Sequence, residues 1–74
     1  MANKVSWNSE AKNVLKSMLK RKDVEYQQLS DMLKQIGVNE SPGAINSKIN
    51  RGTFSFVFFM QCMKVLKMNK IDLD

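Results

Sequence analysis

The sequence predicts an all-α fold, a compact bundle of four or five helices in one small domain. Apolar residues recur at helical spacing in four segments, capping residues and glycines separate those segments, and no alternating run argues convincingly for a sheet. With 74 residues, of which 43% are hydrophobic and 26% charged, the chain is folded rather than disordered but has room for one core only. We expect a single domain over residues 1–74, with an ordered core at about 6–68.

The first helix is predicted from an apolar stripe that begins at the only tryptophan and can be capped by Ser6. We expect Trp7 to hold this helix against the core. The stripe consists of Trp7, Ala11, Val14, Leu15, Met18 and Leu19. The opposite face carries Lys12, Lys16 and Lys20, which are candidates for phosphate contacts although such a stripe is typical of any solvated helix face.

A second helix is predicted from Val24 or Glu25 to Ile36, because apolar residues again repeat at three and four positions. Gly37 is expected to end it in the left-handed conformation that glycine adopts readily.

A third, short helix is predicted over residues 42–51. Ser41 can cap it, Pro42 suits its first turn, and Gly52 ends it. Its only clear apolar anchors are Ile45 and Ile49. The other positions are small, amide or basic, and none is acidic: Gly43, Ala44, Asn46, Ser47, Lys48, Asn50 and Arg51.

A fourth helix is predicted to begin after Thr53 or Ser55 and to run to about Met68. Its expected buried face is Phe56, Phe59, Cys62, Met63 and Leu66, with the thiol acting as a small hydrophobe. One face cannot absorb all its apolar residues. The remainder are therefore predicted as a dimer or partner surface, namely Val57, Phe58, Val65 and Met68. The tail 71–74 is expected to extend weakly or to fold back.

Composition argues against most enzymes and cofactor sites. The chain has no His and one Cys, so the usual metal sites and His or Cys–His catalysis have no residues to use. We therefore expect a non-enzymatic protein with no catalytic residue, metal or cofactor. Residues 1–6 lack a signal peptide, the apolar run 54–63 is too short to span a membrane, and a lone thiol suits a reducing cytoplasm.

The net charge of +5 instead favours a polyanionic partner, and double-stranded DNA is the candidate. A helix that enters the major groove needs short side chains at close approach, amides or Arg at base edges, and cations at phosphates. The third helix offers these groups. The predicted DNA-binding residues are Gly43, Asn46, Ser47, Lys48, Asn50 and Arg51.

The order of these residues resembles the Cro/cI-type helix-turn-helix family, the xenobiotic-response-element superfamily. The resemblance lies in Leu29-Ser30, Gly37-Val38, Ile45, Ile49 and Asn50-Arg51-Gly52, with a longer span from Leu29 to Gly37 than that family has. It implies a repressor-like bundle and a small bacterial or mobile-element transcription regulator whose last helix pairs in a homodimer.

The chain also resembles a small bacterial family of uncharacterised domains with a Lys-Ile-x-Arg-Gly-x-Phe-Ser-x-x-Phe-Phe-x-Gln-Cys signature. The matching residues are Trp7, Ala11-Lys12, Tyr26, Leu29, Lys48-Ile49, Arg51-Gly52, Phe54-Ser55, Phe58-Phe59 and Gln61-Cys62. This second resemblance implies no activity. The alternative function is a protein-interaction module, an adaptor or antitoxin-like chain that uses the surface of residues 54–68.

Overall fold

Helices make up most of residues 6–71, the part of the chain that the computed structural model describes. Four helices follow one another: α1 (Trp7–Lys22), α2 (Tyr26–Lys34), α3 (Pro42–Arg51) and α4 (Phe56–Leu66). No strand occurs within 6–71, so the all-α prediction is confirmed. The predictions made for residues 1–5 and for 72–74 lie outside the described residues.

Serine caps begin three of the four helices. The hydroxyl oxygens of Ser6, Ser41 and Ser55 accept hydrogen bonds from backbone N–H groups three residues later, at 3.3, 3.1 and 3.0 Å. Each bond satisfies a donor that the first turn of a helix leaves without an intrahelical partner. These caps confirm the predicted starts of α1 and α3 and select Ser55 for α4.

The predicted C-terminal end is confirmed for α3, whereas α2 and α4 end earlier than predicted. α3 ends at Gly52, whose φ is +73°. α2 ends at Lys34, so Ile36, which was predicted on its buried stripe, lies in the turn and is 47% exposed. α4 ends at Leu66 because Lys67 adopts a φ of +58°, two residues before the predicted end.

The core forms where α1 and α2 each pack against both α3 and α4. All four helices contribute fully buried side chains, so no helix is peripheral. The core consists of Leu15, Met18, Leu19, Leu29, Leu33, Ile45, Ile49, Phe58, Phe59, Cys62 and Leu66. Burial raises the pKa of the Cys62 thiol to about 12, which agrees with its predicted role as a small hydrophobe.

The structure corrects the predicted faces of α4. Phe58 is only 3% exposed and belongs to the core, and Val65 and Met68 are half-buried against it. Of the predicted partner surface only Val57 is exposed, at 62%. Because apolar residues surround this helix, periodicity could not select the side that its neighbours cover.

Two aromatic residues predicted to be buried are exposed instead. Trp7 is 75% and Phe56 71% exposed. Each is the first residue of its helix, and the two line one groove at the surface. Trp7 therefore does not hold α1 to the core. Leu15, Met18 and Leu19, further along the same helix, do so.

Candidate nucleic-acid interface

The outer face of α3 is accessible along its length. Ile45 and Ile49 are completely buried and hold the helix to the core from one side. The other side exposes five of the six residues predicted to bind DNA: Gly43, Asn46, Ser47, Asn50 and Arg51. The polar residues are therefore available to a partner.

The long connection before α3, residues 35–41, is tied to α2 at both ends. The N–H of Val38 donates to the carbonyl of Leu33 at 3.0 Å, and the Val38 side chain packs against the core. The hydroxyl of Ser30, a residue only 4% exposed, donates to the carbonyl of Glu40 at 2.6 Å. The extra length of this turn is accommodated without covering α3.

Asn46 and Asn50 form an amide pair one turn apart on the exposed face. The Asn50 side-chain amide donates to the backbone carbonyl of Asn46 at 2.9 Å and to its side-chain oxygen. The pair presents donors and acceptors side by side. Asn is a residue type that makes paired hydrogen bonds to the edge of adenine.

Lys48 has an acidic neighbour that the sequence pattern of α3 does not reveal. Its ammonium forms an ion pair with the carboxylate of Glu40 and lies 5.0 Å from the centre of the Phe58 ring. The side chain is 39% exposed, and that of Glu40 18%. Because the carboxylate of Glu40 pairs with the ammonium of Lys48, we expect Lys48 to contribute less to phosphate binding than Arg51 does.

Arg51 occupies the last turn of α3, where the backbone is closely held. The next residue, Gly52, packs so tightly against the first turn of α1 that a Cβ there would lie 2.1 Å from the carbonyl oxygen of Asn8. Only glycine fits this contact and the positive φ together. The C-terminal end of α3 is thereby fixed relative to α1.

Positive charge is unevenly distributed along the chain. Between residues 41 and 71 there is no Asp or Glu, and the five cations of this segment are Lys48, Arg51, Lys64, Lys67 and Lys70. The last three are exposed and were missing from the predicted site. The acid-free run that contains them is visible in the sequence.

The lysines of α1 lie on a different surface. Lys16 and Lys20 are exposed on the side of α1 opposite its core residues, and Lys12 is half-buried at the edge. Because the inner side of α1 packs on α3, the structure does not bring these lysines onto the outer face of α3.

Comparison with known proteins gives a family but no activity. A family model described as a domain of unknown function, DUF6471, matches residues 7–71. The chain belongs to this family. No curated protein and no solved structure matches the chain.

Three further features of the DUF6471 domain concern metal ligands, membrane spans and a surface groove. Within residues 6–71, no three His, Cys, Asp or Glu side chains come close enough together to hold a metal ion. No helix in that range is both long and apolar enough to cross a membrane. A groove of about 470 Å³ lies beside Trp7, and periodicity did not reveal it because it joins residues from separate segments.

Proposed function

We propose that this DUF6471 domain binds double-stranded DNA through the outer face of α3 and acts as a small cytoplasmic transcription regulator. The observation that carries the proposal is the exposed row of amides, small residues and one arginine on α3, in a segment with no carboxylate from residue 41 to 71. A duplex presents phosphates on both sides of a groove lined with hydrogen-bonding base edges, which such a surface complements.

In this mechanism α3 lies in the major groove. Gly43 allows close approach near the start of the helix, and the Asn46–Asn50 pair faces base edges together with Ser47. Arg51, at the other end, contacts a guanine edge or a phosphate. The capped N-terminus of α3 adds a partial positive charge toward the backbone. Occupancy of the site would then exclude other proteins from it.

The remaining cations contribute affinity that does not depend on sequence. Lys67 and Lys70 lie in the same acid-free segment as α3, whereas the α1 lysines act at longer range by steering. If four to six phosphates are neutralised per protomer, log K against log salt should have a slope of about −4 to −5.

The test is binding to duplex DNA at several salt concentrations. Arg51→Ala should weaken binding and reduce the magnitude of the slope by about 1, as expected for one lost phosphate contact. Lys16→Ala is the matched control, because it also removes one exposed cation but from the outer side of α1. A smaller loss for Lys16→Ala supports a local contact on α3.

Asn50→Ala tests base contact rather than charge. It should reduce discrimination between a selected site and random duplex, with circular dichroism confirming the fold. If Asn50→Ala and Arg51→Ala both bind with unchanged affinity and discrimination, α3 is not the interface.

A protein-interaction module is the second candidate, favoured by the exposure of Trp7 and Phe56. It predicts weak retention on DNA that ignores salt, and recovery from lysate in a complex with another protein. Substitutions on α3 would leave that complex intact.

A further inference from the structure

A continuous apolar patch lies at the starts of α1 and α4, and none of its exposed members belongs to α3. Its exposed members are Trp7 (75%), Phe56 (71%), Val57 (62%), Met60 (53%) and Ile71 (41%). Trp7, Phe56 and Ile71 line the groove, whose floor includes Phe54 and Phe59. Phe56 and Val57 are one helical turn from Met60, so they extend the patch along α4.

The apolar area of this patch overlaps the range that a stable protein interface requires. A Trp or Phe side chain presents roughly 150–250 Å², so Trp7 and Phe56 together expose roughly 220–370 Å². Three partly exposed aliphatic side chains add roughly 30–70 Å² each. An interface of about 800 Å² per partner is about 56–65% apolar, which corresponds to roughly 450–520 Å². The upper part of the summed range reaches that value.

The patch contains both shapes that a self-complementary contact needs. The groove beside Trp7 is concave, and Val57 and Met60 stand out on the exposed side of α4 as a ridge. In a two-fold dimer the same surface meets itself, so the ridge of each copy can enter the groove of the other.

The charges around the patch suit this arrangement. Among residues 6–71, Glu10 is the only charged residue that lines the groove. Lys64 is exposed one turn beyond Met60, on the ridge side of α4. In a two-fold arrangement of this kind, the lysine of one copy would pair with the Glu10 carboxylate of the other, and the pairing would occur twice.

We propose that a second copy of this chain covers the patch, forming a two-fold dimer in which Val57 and Met60 of one protomer pack into the Trp7–Phe56 groove of its partner. This dimer does not depend on DNA binding, since no residue of α3 takes part in it. It uses a surface different from the predicted one, of which only Val57 remains.

The salt dependence of association distinguishes this dimer from a complex held together mainly by charge. Two protomers each carrying +5 repel one another, and salt screens that repulsion while leaving burial of the apolar patch intact. Salt also screens the two proposed Lys64–Glu10 pairs, so dimerisation should change little between low and moderate salt. DNA binding should weaken over the same range.

The first experiment is sedimentation of the chain alone at several concentrations, paired with fluorescence. Trp7 is the only tryptophan and lies in the proposed interface, so its emission should shift to shorter wavelength as dimers form. Met60→Glu should raise the dimer dissociation constant by at least about tenfold. Ile36→Glu is the matched control, since Ile36 is similarly exposed but lies in the turn after α2, and it should dimerise normally.

Charge exchange tests the proposed pairing. Lys64→Glu lowers the net charge and would strengthen dimerisation if only overall repulsion mattered. We expect it to weaken the dimer, with Glu10→Lys weakening it also and the double variant restoring it.

A wild-type chain that sediments as a monomer at every concentration overturns the proposal and assigns the patch to a different partner. Equal effects of Met60→Glu and Ile36→Glu overturn the assigned surface. These results are independent of the DNA measurements, which use substitutions at Asn50, Arg51 and Lys16, outside the patch.

Discussion

α3 and α4 are of nearly equal length, 10 and 11 residues, and pack against the same two helices. The surfaces that they expose nevertheless differ in chemistry, being polar on α3 and apolar on α4. α3 buries two isoleucines and exposes amides and a cation. α4 buries four residues and still exposes Phe56, Val57 and Met60. Exposed apolar side chains are more informative about function than exposed polar ones. Contact with solvent is enough to explain the polar face of α3, but it does not explain the apolar face of α4.

The largest effect is expected within α4, where neighbouring residues lie on opposite sides of the helix. Phe58→Ala should lower the free energy of unfolding by about 3–5 kcal/mol, since it removes a buried ring. Val57→Ala should change it by less than about 0.5 kcal/mol in dilute protein. Denaturant unfolding measures both.

If Phe58→Ala does not fold, Phe58→Leu provides a milder test, with an expected loss of about 1–2 kcal/mol. Equal losses at positions 57 and 58 would contradict the orientation of α4.

A second comparison concerns the glycines on either side of α3. Gly52→Ala should cost about 3 kcal/mol or more, because its methyl group would meet the backbone of Asn8 in addition to the strain of a positive φ. Gly37 also has a positive φ, +83°, but open space around it. Gly37→Ala should therefore cost only about 1–2 kcal/mol.

Thermal or denaturant unfolding gives the two values. Equal stability of the two alanine variants would contradict the close contact between Gly52, at the end of α3, and Asn8, in the first turn of α1.

The smallest effect is a loss of stability at alkaline pH caused by Cys62. Its pKa rises from 9.0 to about 12 on folding, so above pH 9 the unfolded chain releases a proton that the folded chain keeps. The contribution of this thiol is complete below pH 9 and is lost as the pH rises toward 12. At pH 10 the free energy of unfolding should be about 1 kcal/mol lower from this source.

Unfolding of the wild type and of Cys62→Ala between pH 8 and 10 isolates the effect, because the two proteins differ only in this side chain. Identical pH dependence would mean that the thiol is not shielded as described.

The boundaries and the buried side of α3 were predictable because they depend on local sequence signals. Ser41 and Pro42 begin the helix, Gly52 ends it, and Ile45 and Ile49 mark its buried side. The predicted DNA-binding residues followed from that side, and five of six are exposed. The ion pair of Lys48 was not predictable, since its partner lies in the preceding turn, where Ser30 holds the backbone of Glu40.

The position of Trp7 shows the limit of periodicity. It follows the same stripe as Met18 and Leu19, but it lies at the first position of α1, where it lines a surface groove beside the start of α4. A helical wheel gives the direction in which a side chain points. It does not show whether another helix lies in that direction.

By itself the sequence determined the four helices, the caps of α1 and α3, the inner side of α3 and the concentration of cations after residue 40, because each of these depends on residues a few positions apart. Only the tertiary structure decided which side of α4 is covered, that Glu40 meets Lys48, that Gly52 meets Asn8 and that Trp7 and Phe56 form an open groove. Helix formation is governed by local spacing and capping, whereas burial is governed by which distant segments come to lie alongside.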